Sequence, residues 1–145
     1  MRGVLALAAL CAVAALLPAT ASADTTWKGK TKQGRKVVLS TDGSGLVTRL
    51  KIGWKARCGD GTYSSRTIFV PPFDTSTATA VDDVGNYTAR PEGYKSAIHV
   101  WVKGTWVASA SRWRGTFGVR VRVSKDGELV DTCRVKKLRW SAARA

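Results

Sequence analysis

Leu46-Val47-Thr48-Arg49-Leu50-Lys51-Ile52-Gly53-Trp54-Lys55-Ala56-Arg57-Cys58 is the stretch whose reading decides the class of fold. Its even positions are Leu46, Thr48, Leu50, Ile52, Trp54, Ala56 and Cys58, and its odd positions after Val47 are Arg49, Lys51, Gly53, Lys55 and Arg57. A period of two sorts side chains to opposite faces of a β-strand, and no helical spacing separates these residues as cleanly. The stretch therefore predicts a strand with an apolar face that ends in a thiol. The opposite face carries four cations, Arg49, Lys51, Lys55 and Arg57.

Working outward, the same kind of pattern recurs between turn signals. Thr25 to Lys32 reads as a first strand anchored by Trp27, and Arg35 to Thr41 as a second, with Asp42-Gly43-Ser44-Gly45 as the hairpin leading into the central stretch. An Asp-Gly pair supplies the positive φ that tight hairpins demand. Arg66 to Val70 reads as a fourth strand that Pro71-Pro72 stops, because proline cannot donate to a sheet ladder. Asp74 to Ala80 is small and polar and is expected to be a mobile loop. Asp82-Asp83-Val84-Gly85-Asn86 reads as a turn, with a short strand over Tyr87 to Arg90. Ile98, Val100 and Val102 then alternate with His99, Trp101 and Lys103, and Gly104 suggests a turn or bulge. Val119, Val121 and Val123 alternate with Arg120 and Arg122, Lys125-Asp126-Gly127 makes a second hairpin, and strands over Leu129 to Val135 and Leu138 to Ser141 close the sheet. Short strands with turn signals at this spacing predict an all-β antiparallel β-sandwich, with jelly-roll-like or barrel-like closures as the alternatives. Trp27, Trp54 and Trp140 are expected in or near the core.

The first 23 residues read differently from the rest. Arg2 precedes an unbroken apolar run from Val4 to Leu17, Pro18 interrupts it, and Ala21-Ser22-Ala23 has the small-residue form of a cleavage site. The run is 14 residues long, short of the ~20 that span a bilayer. Residues 1–23 are thus expected to be a signal peptide and residues 24–145 a single secreted domain of 145 − 23 = 122 residues. Cys11 follows Leu10 rather than a small residue, which argues against a lipid anchor. Cys58 and Cys133 then form an even pair in an exported chain, and a disulfide is expected between them.

The chain carries 24 Lys and Arg against 10 Asp and Glu, a formal charge of +14. A charge of this size bears on solubility and on anionic partners rather than on fold. Catalytic constellations are sparse. His99 is the one histidine, without Cys, Asp or Glu at ligand spacing beside it, and no G-x-S-x-G motif marks a nucleophile. Asp42, Asp60 and Asp126 each precede a glycine, as turns require. Asp82, Asp83 and Asn86 lack the spacing of an EF-hand loop. No enzyme activity, cofactor or metal is expected on these grounds. The candidate binding residues are Arg49, Lys51, Lys55 and Arg57 on one strand, Arg120 and Arg122 on another, and Trp101, whose ring falls opposite the Ile98-Val100-Val102 face. Arg112-Trp113-Arg114 and the run Arg134 to Trp140 add further basic and aromatic interleaving. Such a surface suits an anionic cell-wall polymer or glycan. An extracellular protein partner engaged through Asp74 to Ala80 and a small hydrolase built on His99 remain as alternatives, and nucleic acid is disfavoured by export. Alternating Lys and Arg are also the ordinary solvated face of a half-buried sheet.

Several short motifs carry a resemblance: Trp27-x-Gly29-x-Thr31-x-Gln33, Cys58-x-Asp60-Gly61, Arg114-Gly115-Thr116-Phe117, Asp131-Thr132-Cys133 and Trp140-Ser141-Ala142. Together they resemble small exported all-β proteins from actinobacteria of unknown function. The resemblance implies the fold class and export, and contributes no catalytic residue.

Overall fold

A computed structural model describes residues 23–145. Residues 1–22 of the expected signal segment, 1–23, lie outside the described residues. The remainder forms nine strands: β1 (Thr25–Thr31), β2 (Lys36–Thr41), β3 (Val47–Arg57), β4 (Thr62–Phe69), β5 (Thr75–Ser76), β6 (Ala80–Ala89), β7 (Lys95–Val107), β8 (Arg112–Lys125) and β9 (Glu128–Arg144). A single 3-10 turn, Ala108–Ala110, links β7 to β8. All nine belong to one antiparallel sheet in the order β4-β3-β2-β1-β9-β8-β7-β6-β5. The all-β class, the antiparallel pairing and the Cys58–Cys133 disulfide agree with the sequence reading.

Two consecutive meanders, β1 to β4 and β5 to β9, are thus joined through β1 and β9. At the far end of β3, where β2 has not yet begun, Arg57 pairs directly with Arg134 of β9. The Cys58–Cys133 disulfide sits beside that bridge and closes a sequence separation of 75 residues. A side-chain contact also links β4, one end of the strand order, to β6 near the other end. Thr67 of β4 accepts from the Trp54 indole N–H at 2.9 Å and lies 3.0 Å from the Tyr87 hydroxyl of β6. Val70 to Asp74 is accordingly enough chain to connect β4 to β5.

One hydrophobic core fills the inner face. Val37 and Leu39 of β2, Leu50, Ile52 and Trp54 of β3, Val100 and Val102 of β7, Phe117, Val119 and Val121 of β8, and Leu138 and Trp140 of β9 are buried together. Trp54 stacks on Tyr63 with ring centroids 5.8 Å apart. Trp27 lies at the margin of this core, edge-on to Trp106, which in turn contacts the buried Trp113.

Several local expectations are corrected. In β3 the even-numbered residues Leu50 to Ala56 are buried as expected, but Val47 is buried while Leu46 is exposed. Ser40 pairs with Arg49 whereas Thr41 pairs with Val47, so one extra β3 residue forms a bulge. A bulge shifts the alternation by one and turns every following side chain to the other face. Thr62 to Ser65, polar in sequence, belong to β4. Asp82 to Asn86 is not a turn but the middle of β6, and Gly104 lies within β7. Gly104 is instead the flat place on which the Trp140 ring rests. Asp74 to Ala80 is not a free loop: β5 pairs with β6, and Thr77 Oγ1 accepts the backbone N–H groups of Thr79 and Ala80. The Asp42 hairpin uses a side chain more than an Asp-Gly geometry. The Asp42 carboxylate accepts from the Ser44 and Leu46 N–H groups, and the positive φ falls at Gly45. By contrast, Asp126 and Gly127 both have positive φ and form the tight hairpin expected of them.

Candidate anion-binding face

The outer face of the sheet follows from the same alternation that builds its core. Between buried Val119 and Val121 the Arg120 side chain must point outward, as must His99 between Ile98 and Val100, and Arg134 beside buried Cys133. Register then decides which outward residues are neighbours. Arg57 pairs with Arg134, Arg134 with Arg120, Arg120 with His99, and His99 with Asn86. Directly opposed residues have Cβ atoms about 5 Å apart. Three arginines and a histidine therefore form one transverse row over β3, β9, β8 and β7, roughly 15 Å long at the usual strand spacing of ~4.8 Å.

Among the described residues the one ion pair is Lys103–Asp82, at 3.4 Å on an exposed edge of the face, and no carboxylate pairs with the row. His99 Nδ1 donates to Asn86 Oδ1 at 2.7 Å, so its hydrogen-bond partner is an amide. Shallow grooves flank the row at both ends. One of about 350 Å³ is lined by Gln33, Lys55, Arg57, Thr62 and Arg134, and another of about 360 Å³ by Asn86, Tyr87, His99, Arg120 and Arg122. Between them, a recess of about 70 Å³ is bounded by Trp101, Arg120, Arg134 and Lys136.

Trp101 is half-buried on this outer face. Its ring covers Gly118, the residue opposite it on β8, where an added Cβ would overlap the indole. An aromatic laid across a glycine on the neighbouring strand shields exposed backbone. Here that placement also sets a flat ring 5.6 Å from the His99 ring and alongside the arginine row.

Backbone contacts hold the row from behind. Since β2 begins only at Lys36, the Lys55 backbone lacks a strand partner on that side. The Gln33 side chain replaces one, donating to Lys55 O at 2.8 Å and accepting from Lys55 N at 2.9 Å. Asp131 fixes the turn after β3 by accepting from the N–H groups of Gly59 (2.9 Å) and Thr132 (2.7 Å), with Asp60 at 3.4 Å. Led by the Gly59 bond, these contacts hold its carboxyl below the usual aspartate value. Asp131 lies close to Cys58 and Cys133, but both sulfurs are committed to the disulfide and neither offers a thiolate to a metal.

The fold sorts the residues that the sequence singles out. Arg57, Arg120 and Trp101 come together, with Arg122 lining the groove at the β7 end. Lys55 lines the opposite groove. Arg49 and Lys51 lie farther along β3, across from Ser40 and Val38, and do not join the row. Arg134, the centre of the row, does not stand out in a sequence run shared with other cations. Its position depends on the β3–β9 bridge, which no local pattern encodes.

No family model, curated protein or solved structure matches this chain.

Proposed function

We propose that the domain is a secreted, non-enzymatic binding module for an anionic polymer or glycan of the cell envelope, engaged through the outer face of β3, β9, β8 and β7. The observation that carries this reading is the in-register row Arg57–Arg134–Arg120. Like charges placed directly opposite one another destabilise a sheet. Basic residues at sheet edges have a protective use, since they discourage edge-to-edge association. Arg134 and Arg120 stand on β9 and β8, in the interior of the strand order, where that use does not apply. A polyanion laid across the row supplies the missing counter-charge. Trp101 beside it offers an apolar surface on which a sugar ring can stack. The disulfide supports placement in an oxidising compartment.

The test is retention of the oxidised 24–145 chain on isolated cell wall and on soluble anionic polymers at low and high salt. Expected is binding that weakens as salt rises and is lost when Arg57, Arg120 and Arg134 are changed to Gln. Salt-insensitive retention that disappears in Trp101→Ala would transfer the binding to sugar stacking. Absence of retention at low salt overturns the envelope reading and leaves a protein partner in its place.

A further inference from the structure

A second cationic feature lies on the same outer face, along β9 beyond the arginine row. The outward residues of β9 there are Arg139, Ser141 and Ala143, between buried Leu138, Trp140 and Ala142. Ser141 and Ala143 are small, but their cross-strand neighbours are long and positive. Ser141 lies between Lys30 of β1 and Arg114 of β8, and Ala143 between Lys28 and Arg112. The result is a trough with a floor of small residues, cationic walls on both sides and Arg139 at one end. Its volume is about 510 Å³, and Lys30, Lys32, Arg112, Arg114 and Arg139 all line it with no acidic residue among them.

We infer that this trough is a distinct subsite for a multiply charged phosphate group, such as a phosphate monoester or a pyrophosphate. The reason is the direction from which donors arrive. Cations from three adjacent strands converge on one concavity, with the Ser141 hydroxyl in its floor. A carboxylate presents two oxygens in one plane and is matched by a single guanidinium fork. A tetrahedral phosphate carries diverging oxygens that engage β1, β9 and β8 together, and its second charge suits five cations better than a monoanion does. Arg112 is already positioned for this, because its Nε donates to Ala110 O at 3.3 Å. The arginine row and the trough lie six residues apart on β8, between Arg114 and Arg120, or roughly 20 Å at ~3.3 Å per residue. A polymer longer than that engages both sites at once and gains through effective concentration.

This subsite rests on the proposed function for its biological ligand, though its chemistry can be tested separately. Amide NMR spectra of the oxidised 24–145 chain would be followed during titration with pyrophosphate, with citrate, and with long-chain polyphosphate. Pyrophosphate is expected to shift Gly115 and Ser141 saturably, to bind about tenfold more tightly than citrate, and to weaken about tenfold or more in the Lys30→Gln/Arg114→Gln/Arg139→Gln variant. Long-chain polyphosphate is expected to shift the amides of Arg57, Arg120 and Arg134 as well. Pyrophosphate shifts that never saturate, that scatter over all exposed cations, or that survive in the triple variant overturn the subsite. If polyphosphate shifts the arginine row while pyrophosphate leaves the trough unchanged, the subsite falls and the polymer-binding reading stands. Saturable pyrophosphate binding with an arginine row that polyphosphate leaves unshifted upholds the subsite and overturns the row as a polymer site.

Discussion

Neutralising Arg134 should make the domain more stable and less able to bind. Arg134 has arginines on both sides in register, Arg57 and Arg120, and no anionic neighbour within ion-pair distance among the described residues. With the guanidinium heads splayed to about 7 Å, each repulsion in a water-like dielectric is ~0.6 kcal/mol, or ~1.2 kcal/mol for the two. Screening over a Debye length of ~8 Å leaves about 0.5 kcal/mol at physiological salt, and ~30 Å at 0.01 M salt leaves about 0.9 kcal/mol. For a domain of this size the gain in Arg134→Gln corresponds to a Tm rise of about 2 °C at physiological salt and about 3–4 °C at 0.01 M. Thermal melts of parent and variant at the two salt concentrations, with and without polyphosphate, measure both effects. Without ligand the variant should melt higher, with the gap widening as salt falls. With ligand the parent should gain more, because a ligand raises stability according to its affinity for the folded state. A variant that melts lower at 0.01 M salt, or that gains as much from polyphosphate as the parent, would refute the view that the row is held at a cost for binding. Stability given up for a charged surface is the signature by which a working site differs from a merely solvated one.

Three further outcomes follow from contacts behind the face. Replacing Cys58 and Cys133 together by Ser removes a crosslink over 75 residues and should cost about 4 kcal/mol in chemical denaturation. Asp131 has a depressed carboxyl pKa, so its contribution is present above the ordinary aspartate value of 3.8 and lost as pH falls through the lower folded value. The stability gap between parent and Asp131→Asn should therefore be widest near neutral pH and close below about pH 3–4 in a pH series of melts. Gly115→Ala should destabilise by more than about 3 kcal/mol, because the new methyl meets the Lys103 carbonyl and the Trp140 ring. Denaturant melts check this, and a near-neutral result would mean that β7 and β8 separate easily at that point.

Much of the architecture is legible in the sequence because burial imposes a period of two. Leu50 to Ala56, Ile98 to Val102 and Val119 to Val121 alternate without interruption, and each is a strand. Local pattern misleads where another force outranks it. Asp82, Asp83 and Gly85 look like turn residues, yet β6 extends through them because β7 offers a continuous ladder from Ala80 to Ala89. The reversal at Val47 is hidden because a bulge is a property of two strands, not of one. The short motifs have structural tasks. Thr31 Oγ1 accepts from Gln33 N and Arg35 N, a Cβ on Gly29 would strike the Ser141 carbonyl, and Gly115 leaves room for Trp140. Of the candidate site, the individual cations are visible in the sequence but their assembly is not. Arg57 and Arg134 are 77 residues apart in the numbering (134 − 57) and become neighbours through a single bridge.

The position of β9 sets a timetable for the chain. This strand, the last of the nine to be made, is not an edge: it pairs with β1 on one side and β8 on the other, and reaches β3 at the disulfide end. Until it arrives, β1 and β8 both carry open hydrogen-bonding edges, and the two meanders have no common wall. In a chain synthesised from its N-terminus the sheet therefore stays open until β9 emerges, and contacts this distant in sequence are slow to form. The apolar alternation that later makes the core is exposed throughout that interval. A formal charge of +14 opposes the association of unfinished copies during that interval through mutual repulsion.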